Sequence, residues 1–139
     1  MKTKALKIFT LTLSLLVLAA FTMAFQQPKR GGPWTVPAKY KGMKNPHAAK
    51  KDMVTLGKTL YAKHCKSCHG AVGLGDGPKA KMLKTKCGDF SSKEFQAQSD
   101  GTLYYQSFIG RDEMPNFEKK ILTEEERWSV ISFLRTLGK

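Results

Sequence analysis

Cys65, Lys66, Ser67, Cys68 and His69 stand in a row, so two thiols are separated by two residues and an imidazole follows directly behind the second. Residues of these types at this spacing suit one chemistry closely. Two thiols add to the two vinyl groups of a haem and form two thioether bonds. The two-residue gap lets both sulfurs reach neighbouring edges of one porphyrin, and the next residue then lies under the ring with its imidazole towards the iron. Cys-x-x-Cys-His is a recognised haem-attachment signal. Two other chemistries use similar residues. A redox-active Cys-x-x-Cys expects strand–helix alternation around it, and no such pattern is visible. A structural zinc needs four ligands. Cys65, Cys68, Cys87 and His64 or His69 supply four on paper, but there is no second closely spaced pair.

An iron held by His69 has a sixth position to fill. A methionine thioether is soft and neutral and raises the reduction potential relative to a second imidazole. Of six methionines, Met1 and Met23 lie in the leading segment, and Met43 and Met53 precede the attachment motif. Met53 fits the apolar face of a helix and reads as core. Met82 follows His69 by 13 residues, a short path to the other haem face. Met114 follows it by 45, enough chain to wrap around the ring, and sits in a loop stiffened by Pro115. Met114 is the expected axial ligand. His64 is too close to Cys65 to cross the ring, and His47 is a weak reserve.

The elements that must position these groups read as helices. Met53, Leu56, Gly57, Leu60, Tyr61 and His64 recur at steps of three and four, one face of a helix running into the cysteine pair. Asn45-Pro46 offers a cap and a first-turn proline for the start of the domain. Gly70, Gly73, Gly75 and Gly77 with Pro78 deny the next segment regular structure, and Pro78 opens a short helix through Met82 and Leu83. Cys87 to Gln98 reads as loop. Asp100 caps a helix with Leu103, Tyr104 and Phe108, closed by Gly110. Thr123 and Glu126 form a capping box for a last helix whose face is Val130, Ile131, Leu134 and Leu137, ending at Gly138. No repeat and no sheet-forming alternation are present.

The chain of 139 residues suffices for one domain and an export segment. Lys2, Lys4 and Lys7 precede an uncharged stretch from Ile8 to Gln27, mostly apolar through Phe25, and Thr22-Met23-Ala24 offers a cut after Ala24. Residues 1–24 read as a signal peptide, with an uncleaved N-terminal membrane anchor as the alternative. Both export the remainder, to the periplasm or to the outer side of the cytoplasmic membrane. Residues 25–44 read as a basic irregular arm, an extended tether that Trp34 and Tyr40 lay in part on the domain. Residues 45–139 form the haem domain. Formal net charge is +13, and Phe25 to His64 hold nine Lys or Arg against Asp52 alone. This favours acidic partners or anionic lipid and speeds encounter with them. Nucleic acid is a poor fit, because no recognition motif accompanies the charge. With Cys65 and Cys68 committed to haem, Cys87 is left over and is expected as a small buried residue, with pairing to another chain as the alternative.

These motifs together resemble the class I monohaem c-type cytochromes, the small bacterial cytochrome c family, over about Met53 to Lys139. Gly57 and Tyr61 stand eight and four residues before Cys65, like the family's Gly/aromatic pair. Arg127 to Leu134 is similar to the family's C-terminal helix, with Val130 and Phe133 at its contact positions. Arg111 to Phe117 resembles the axial-methionine loop, and Gly70 to Pro78 the loop after the attachment motif. The resemblance implies an all-α cytochrome c fold: three to five helices around one covalently bound haem, with N- and C-terminal helices crossing. It implies Cys65 and Cys68 as covalent haem residues, His69 and Met114 as axial iron ligands, and the Pro78 carbonyl as support for the His69 ring. The expected function is single-electron transfer by haem c and its iron, as a monomer and not as an enzyme. The expected partners are redox proteins with acidic docking surfaces, and residues 8–27 are a route to membrane association. A dedicated haem subunit of an oxidase or dehydrogenase complex is the runner-up, and a gas-binding haem sensor a further alternative. Cys87 before Gly88-Asp89-Phe90, and the arm before Asn45, depart from the family pattern.

Overall fold

The computed structural model describes residues 29–48 and 50–139. The leading segment read as signal or anchor lies outside the described residues, as do Met1 and Met23. In chain order the elements are β1 (Lys29–Arg30), α1 (Ala38–Lys41), α2 (Lys51–His64), α3 (Lys66–His69), a 3-10 turn (Ala80–Met82), β2 (Thr85–Lys86), α4 (Lys93–Gln96), α5 (Asp100–Phe108) and α6 (Glu124–Arg135). Three helices of real length, α2, α5 and α6, carry the fold, and the other helical segments are single turns. The strands are two residues each and pair in parallel, Lys29 with Thr85 and Arg30 with Lys86. The domain is all-α. No helix among the described residues is long and apolar enough to cross a membrane.

Helix α6 begins where its capping box says it should. The Thr123 hydroxyl accepts from the Glu126 backbone N–H at 3.1 Å, and the Glu126 carboxylate accepts from the Thr123 N–H at 3.2 Å. Glu124, Glu125 and Glu126 occupy its first turn and Arg135 its last, each matching the helix dipole. Every residue from Trp128 to Leu134 is buried, so this helix is enclosed on all sides. Its two buried hydroxyls bond back along the helix, Ser129 to the Glu126 carbonyl at 2.6 Å and Ser132 to the Trp128 carbonyl at 3.2 Å. Helix α2 buries Met53, Gly57 and Tyr61, one residue per turn on one stripe.

Helices α2 and α6 cross at Gly57. A Cβ built there would lie 1.9 Å from the Ser129 carbonyl oxygen and 3.0 Å from the Phe133 Cβ. Only glycine permits that approach. One turn on, the Tyr61 ring packs on Phe133 with centroids 5.1 Å apart. Leu103, Tyr104 and Phe108 of α5 close the core with Phe117, Ile121 and Trp128.

The structure departs from several sequence expectations. Asn45 caps no helix, because α2 starts at Lys51. Its amide is instead buried and donates to the Trp128 carbonyl at 3.2 Å and the Ser132 hydroxyl at 2.8 Å. Ser99, rather than Asp100, caps α5 by accepting from the Thr102 N–H. Asp100 is free to pair with Arg135 at 2.6 Å, tying α5 to α6. The stretch read as loop contains α4, capped by Ser92. Helix α6 stops at Arg135, short of Gly138.

The Gly57 crossing yields the first prediction. Gly57→Ala should lower the stability of the haem-loaded protein by about 3 kcal/mol, the upper end of ordinary overpacking costs, because a backbone carbonyl cannot step aside as a side chain can. Chemical denaturation followed by far-UV circular dichroism measures it, and an unchanged midpoint would refute the close crossing.

Candidate functional site

Helix α2 delivers the attachment motif. Its last turn closes on Cys65, whose N–H donates to the Tyr61 carbonyl at 2.8 Å. The chain then turns at once into α3, where the Cys68 and His69 N–H groups both donate to the Cys65 carbonyl, at 3.1 and 3.0 Å. The motif is thus one tight helical turn that places both thiols and the imidazole on one body. Below it, the Tyr61 hydroxyl donates to the Gly70 carbonyl at 2.7 Å, linking the helix to the loop beyond the motif. Burial raises the Tyr61 phenol well above its ordinary range, so it remains a donor. The glycine loop folds back on the motif: the Gly75 N–H donates to the His69 carbonyl, Gly77 to Cys68 and Lys79 to Ser67.

Met114 comes from a separate element. Gly110, at φ 71°, turns the chain out of α5 into a four-residue reversal. Arg111 and Met114 exchange two backbone hydrogen bonds across it, 2.9 and 2.8 Å long. A Cβ at Gly110 would meet the Met114 carbonyl oxygen at 2.3 Å, so a side chain there would conflict with the methionine loop as well as with the positive φ. The Phe117 N–H then donates to the Phe108 carbonyl at 2.9 Å, which returns the chain to the core.

These elements meet on one cavity of about 1220 Å³, lined by Cys65, Cys68, His69 and Met114 among others. Cofactor-sized ligands occupy pockets of about 300–1,000 Å³, so the space is ample for a porphyrin. A small apolar recess of about 20 Å³ is bordered by Cys65, His69, Phe90, Met114 and Val130, so the thiol, the imidazole and the thioether approach one another there. Of the other methionines, Met53 is buried in the core and Met82 is 81% exposed. Neither lines the cavity, and nor does Met43. His64 does line it, with its ring edge-on to Phe117 at 6.1 Å, while His47 does not. Among the described residues no three His, Cys, Asp or Glu side chains gather as a metal site, so the zinc alternative finds no ligand set.

The electrostatics favour neutral groups. Burial lowers the His69 pKa to about 4, so its imidazole is neutral at pH 7, the form that coordinates metals. Burial, with Cys68 adding to it, pushes the Cys65 thiol up to about 12. The His69 Nδ1 is buried without a hydrogen-bond partner, so the Pro78 carbonyl does not accept from it in this structure. The ring is instead stacked on Phe90, with centroids 4.5 Å apart and planes at 26°. Phe90 stacks in turn on Phe95 of α4 at the same separation. This aromatic pile was missed in the sequence because it depends on α4, which no periodicity announced. Cys87 is half-buried on the cavity wall, where burial raises its thiol pKa.

The cavity opens at the surface among exposed lysines. Lys79 and Lys86 lie on its rim, as proximity in sequence suggested, together with Lys41, Lys63 and Lys120 from distant segments. Lys66, Lys81 and Lys84 do not line it.

An all-α domain whose tight Cys-x-x-Cys-His turn and loop methionine share one cavity has the architecture of a covalent haem protein. The cytochrome c family profile matches residues 54–138, well over half of the chain. The chain belongs to the cytochrome c family, whose cofactor is covalent c-type haem with its iron and whose business is haem-based electron transfer. A solved structure of a reducing HAO-like protein complex from Kuenenia stuttgartiensis superposes with a TM-score of 0.59 at 24% identity, covering 84% of this chain and 54% of that one. This chain therefore spans about half the length of that neighbour, and the likeness concerns the fold alone. No curated protein matches significantly.

Tyr61→Phe tests the link between helix and loop. It leaves the Gly70 carbonyl, in a buried residue, without its donor and should cost about 1–2 kcal/mol. Denaturation of the haem-loaded variant gives the value, and a cost near zero would mean that water or another donor takes over.

Proposed function

We propose that this chain is an exported single-electron carrier with His/Met axial ligation. The observation that carries the reading is the meeting of Cys65, Cys68, His69 and Met114, from two separate elements, on one cavity. Cys65 and Cys68 would hold the haem through two thioethers, and His69 and Met114 would hold its iron. Bound haem iron supplies reversible one-electron exchange between its ferrous and ferric states. The residues do the rest. Neutral His69 and neutral Met114 add no charge to the iron, and the thioether favours the reduced state. Phe90 holds the imidazole plane by stacking, while the Arg111–Met114 turn holds the thioether. With His69 and Met114 both holding the iron, a bound haem would have no coordination site left for a substrate, and this favours a carrier over a gas sensor. The Pro78 carbonyl stays as the proposed support of the His69 ring, whose Nδ1 is buried with no other partner.

The segment before the arm is proposed as an export signal, in keeping with a domain type typically found outside the bacterial cytoplasm. The lysine rim is proposed as the docking face for acidic redox partners, with the chain acting as a monomer. Positive charge on that rim speeds encounter and makes its rate depend on salt. A second reading, a haem subunit within a larger assembly, draws support from the structural neighbour, which is itself part of a protein complex.

Absorption spectra of the matured protein test the site. Wild type should show c-type haem and, when ferric, the weak red band of a Met–iron bond. Met114→Ala should keep the haem and lose that band. Replacing Cys65 and Cys68 together by Ala should abolish covalent haem, so that no haem stain follows the polypeptide on a denaturing gel. Persistence of the band in Met114→Ala would end the ligand assignment. For the docking face, electron-transfer rates with an acidic redox protein should fall steeply as salt rises. A flat dependence would remove the lysine rim from the reading.

A further inference from the structure

The family match begins at residue 54, yet the segment before it is built into the methionine side of the site. Gly31, Gly32, Trp34 and Val36 line the large cavity, and Val36 is only 7% exposed. The arm meets the methionine loop at Arg111. One guanidinium nitrogen of Arg111 donates to the Pro33 carbonyl at 2.9 Å and another donates to the Gly32 carbonyl. The same guanidinium lies over the Trp34 ring, 4.1 Å from its centroid. Trp34 rests edge-on against Tyr105 of α5 at 6.3 Å, and Tyr105 packs on Tyr40 of the arm at 4.8 Å. Arg111 is thus gripped from three sides while its own backbone closes the turn that carries Met114.

The other end of the turn is fastened by a second route. The Glu113 carboxylate accepts the backbone N–H groups of Lys84 and Thr85, at 3.0 and 2.7 Å. Those two bonds hold the carboxyl below its usual range. Thr85 belongs to β2, and β2 pairs with β1 at the start of the arm. The arm therefore reaches the methionine turn twice, directly through Arg111 and through β2 by way of Glu113.

We propose that the arm is a strap that holds Met114 on the iron, with Arg111 and Trp34 as positioning residues. This rests on the reading of Met114 as axial ligand. A neutral thioether is a weak ligand, and a short exposed turn opens readily unless it is tied down. While the turn is open, an outside ligand can take the sixth position. The apparent affinity for that ligand scales with the fraction of molecules that are open. A tight strap keeps that fraction small.

The test uses the full chain with its haem attached and measures imidazole binding to the ferric protein. Trp34→Ala and Arg111→Gln should each raise the apparent imidazole affinity roughly tenfold, as expected when an open minor state becomes more populated. Trp34→Phe, which keeps a ring under the guanidinium, should stay close to wild type. Arg111 is partly exposed, so its variant remains informative should Trp34→Ala fold poorly, and far-UV circular dichroism identifies that case. Unchanged imidazole affinity in folded Arg111→Gln, with a normal red band in wild type, would overturn the strap alone. An intact red band in Met114→Ala would overturn the ligand reading and the strap with it.

Discussion

The contact on which the rest depends is the approach of a backbone carbonyl, that of Ser129, to a residue without a side chain, Gly57. It sets how closely α2 lies on α6, and the spacing of the haem residues follows from it. Gly57, Tyr61 and Cys65 succeed one another at intervals of four, so the crossing, the aromatic anchor and the first thiol lie along one stripe of helix. Tyr61 converts the crossing into a position for the attachment turn. Its ring rests on Phe133 of α6 and its hydroxyl holds the Gly70 carbonyl just past His69. A shift of α2 along α6 would carry the thiol and the imidazole with it. The packing of two helices and the geometry of the site are therefore one constraint.

Much of this was legible in the sequence because the relevant signals are local. Cys65 to His69 is a contiguous motif, the capping box at Thr123 and Glu126 spans four residues, and the stripe of α2 has the helical period. Met114 stands out by elimination and loop context, and of the methionines described it alone lines the cavity. What escaped are the features made by distant partners. Asn45 looks like a helix cap in its own neighbourhood, yet its bonds go to Trp128 and Ser132, more than eighty positions away. Phe90 gives no hint in its local context that it will stack on His69. The rim lysines Lys41, Lys63 and Lys120 could not be grouped with Lys79 and Lys86 by proximity along the chain.

The site separates charge from chemistry. The groups gathered at the small recess are apolar or neutral, and burial keeps His69 uncharged. The lysines of the cavity sit on its exposed rim. In a poorly solvated interior, small changes of charge have large effects on energy. A centre that exchanges one electron is steadier when its near neighbours do not titrate with it. Out at the rim, water and salt weaken each lysine's effect on the site, while on the proposed docking their sum would still draw an acidic partner in. Attraction and tuning can then vary independently.

The arm shows how an addition outside a family's shared domain becomes part of its site. It is basic and rich in glycine and proline, a composition that reads as a free tether. Its few large residues decide otherwise. Val36 is buried, Tyr40 packs on α5, and Trp34 sits beneath a guanidinium of the methionine loop. The irregular backbone is what allows this course, because Gly32 and Pro33 offer their carbonyls to Arg111 instead of spending them in a helix. The haem domain carries Met114 on a short loop, and the arm ties that loop down through Arg111. The same domain without such an arm would have to secure its methionine by other means.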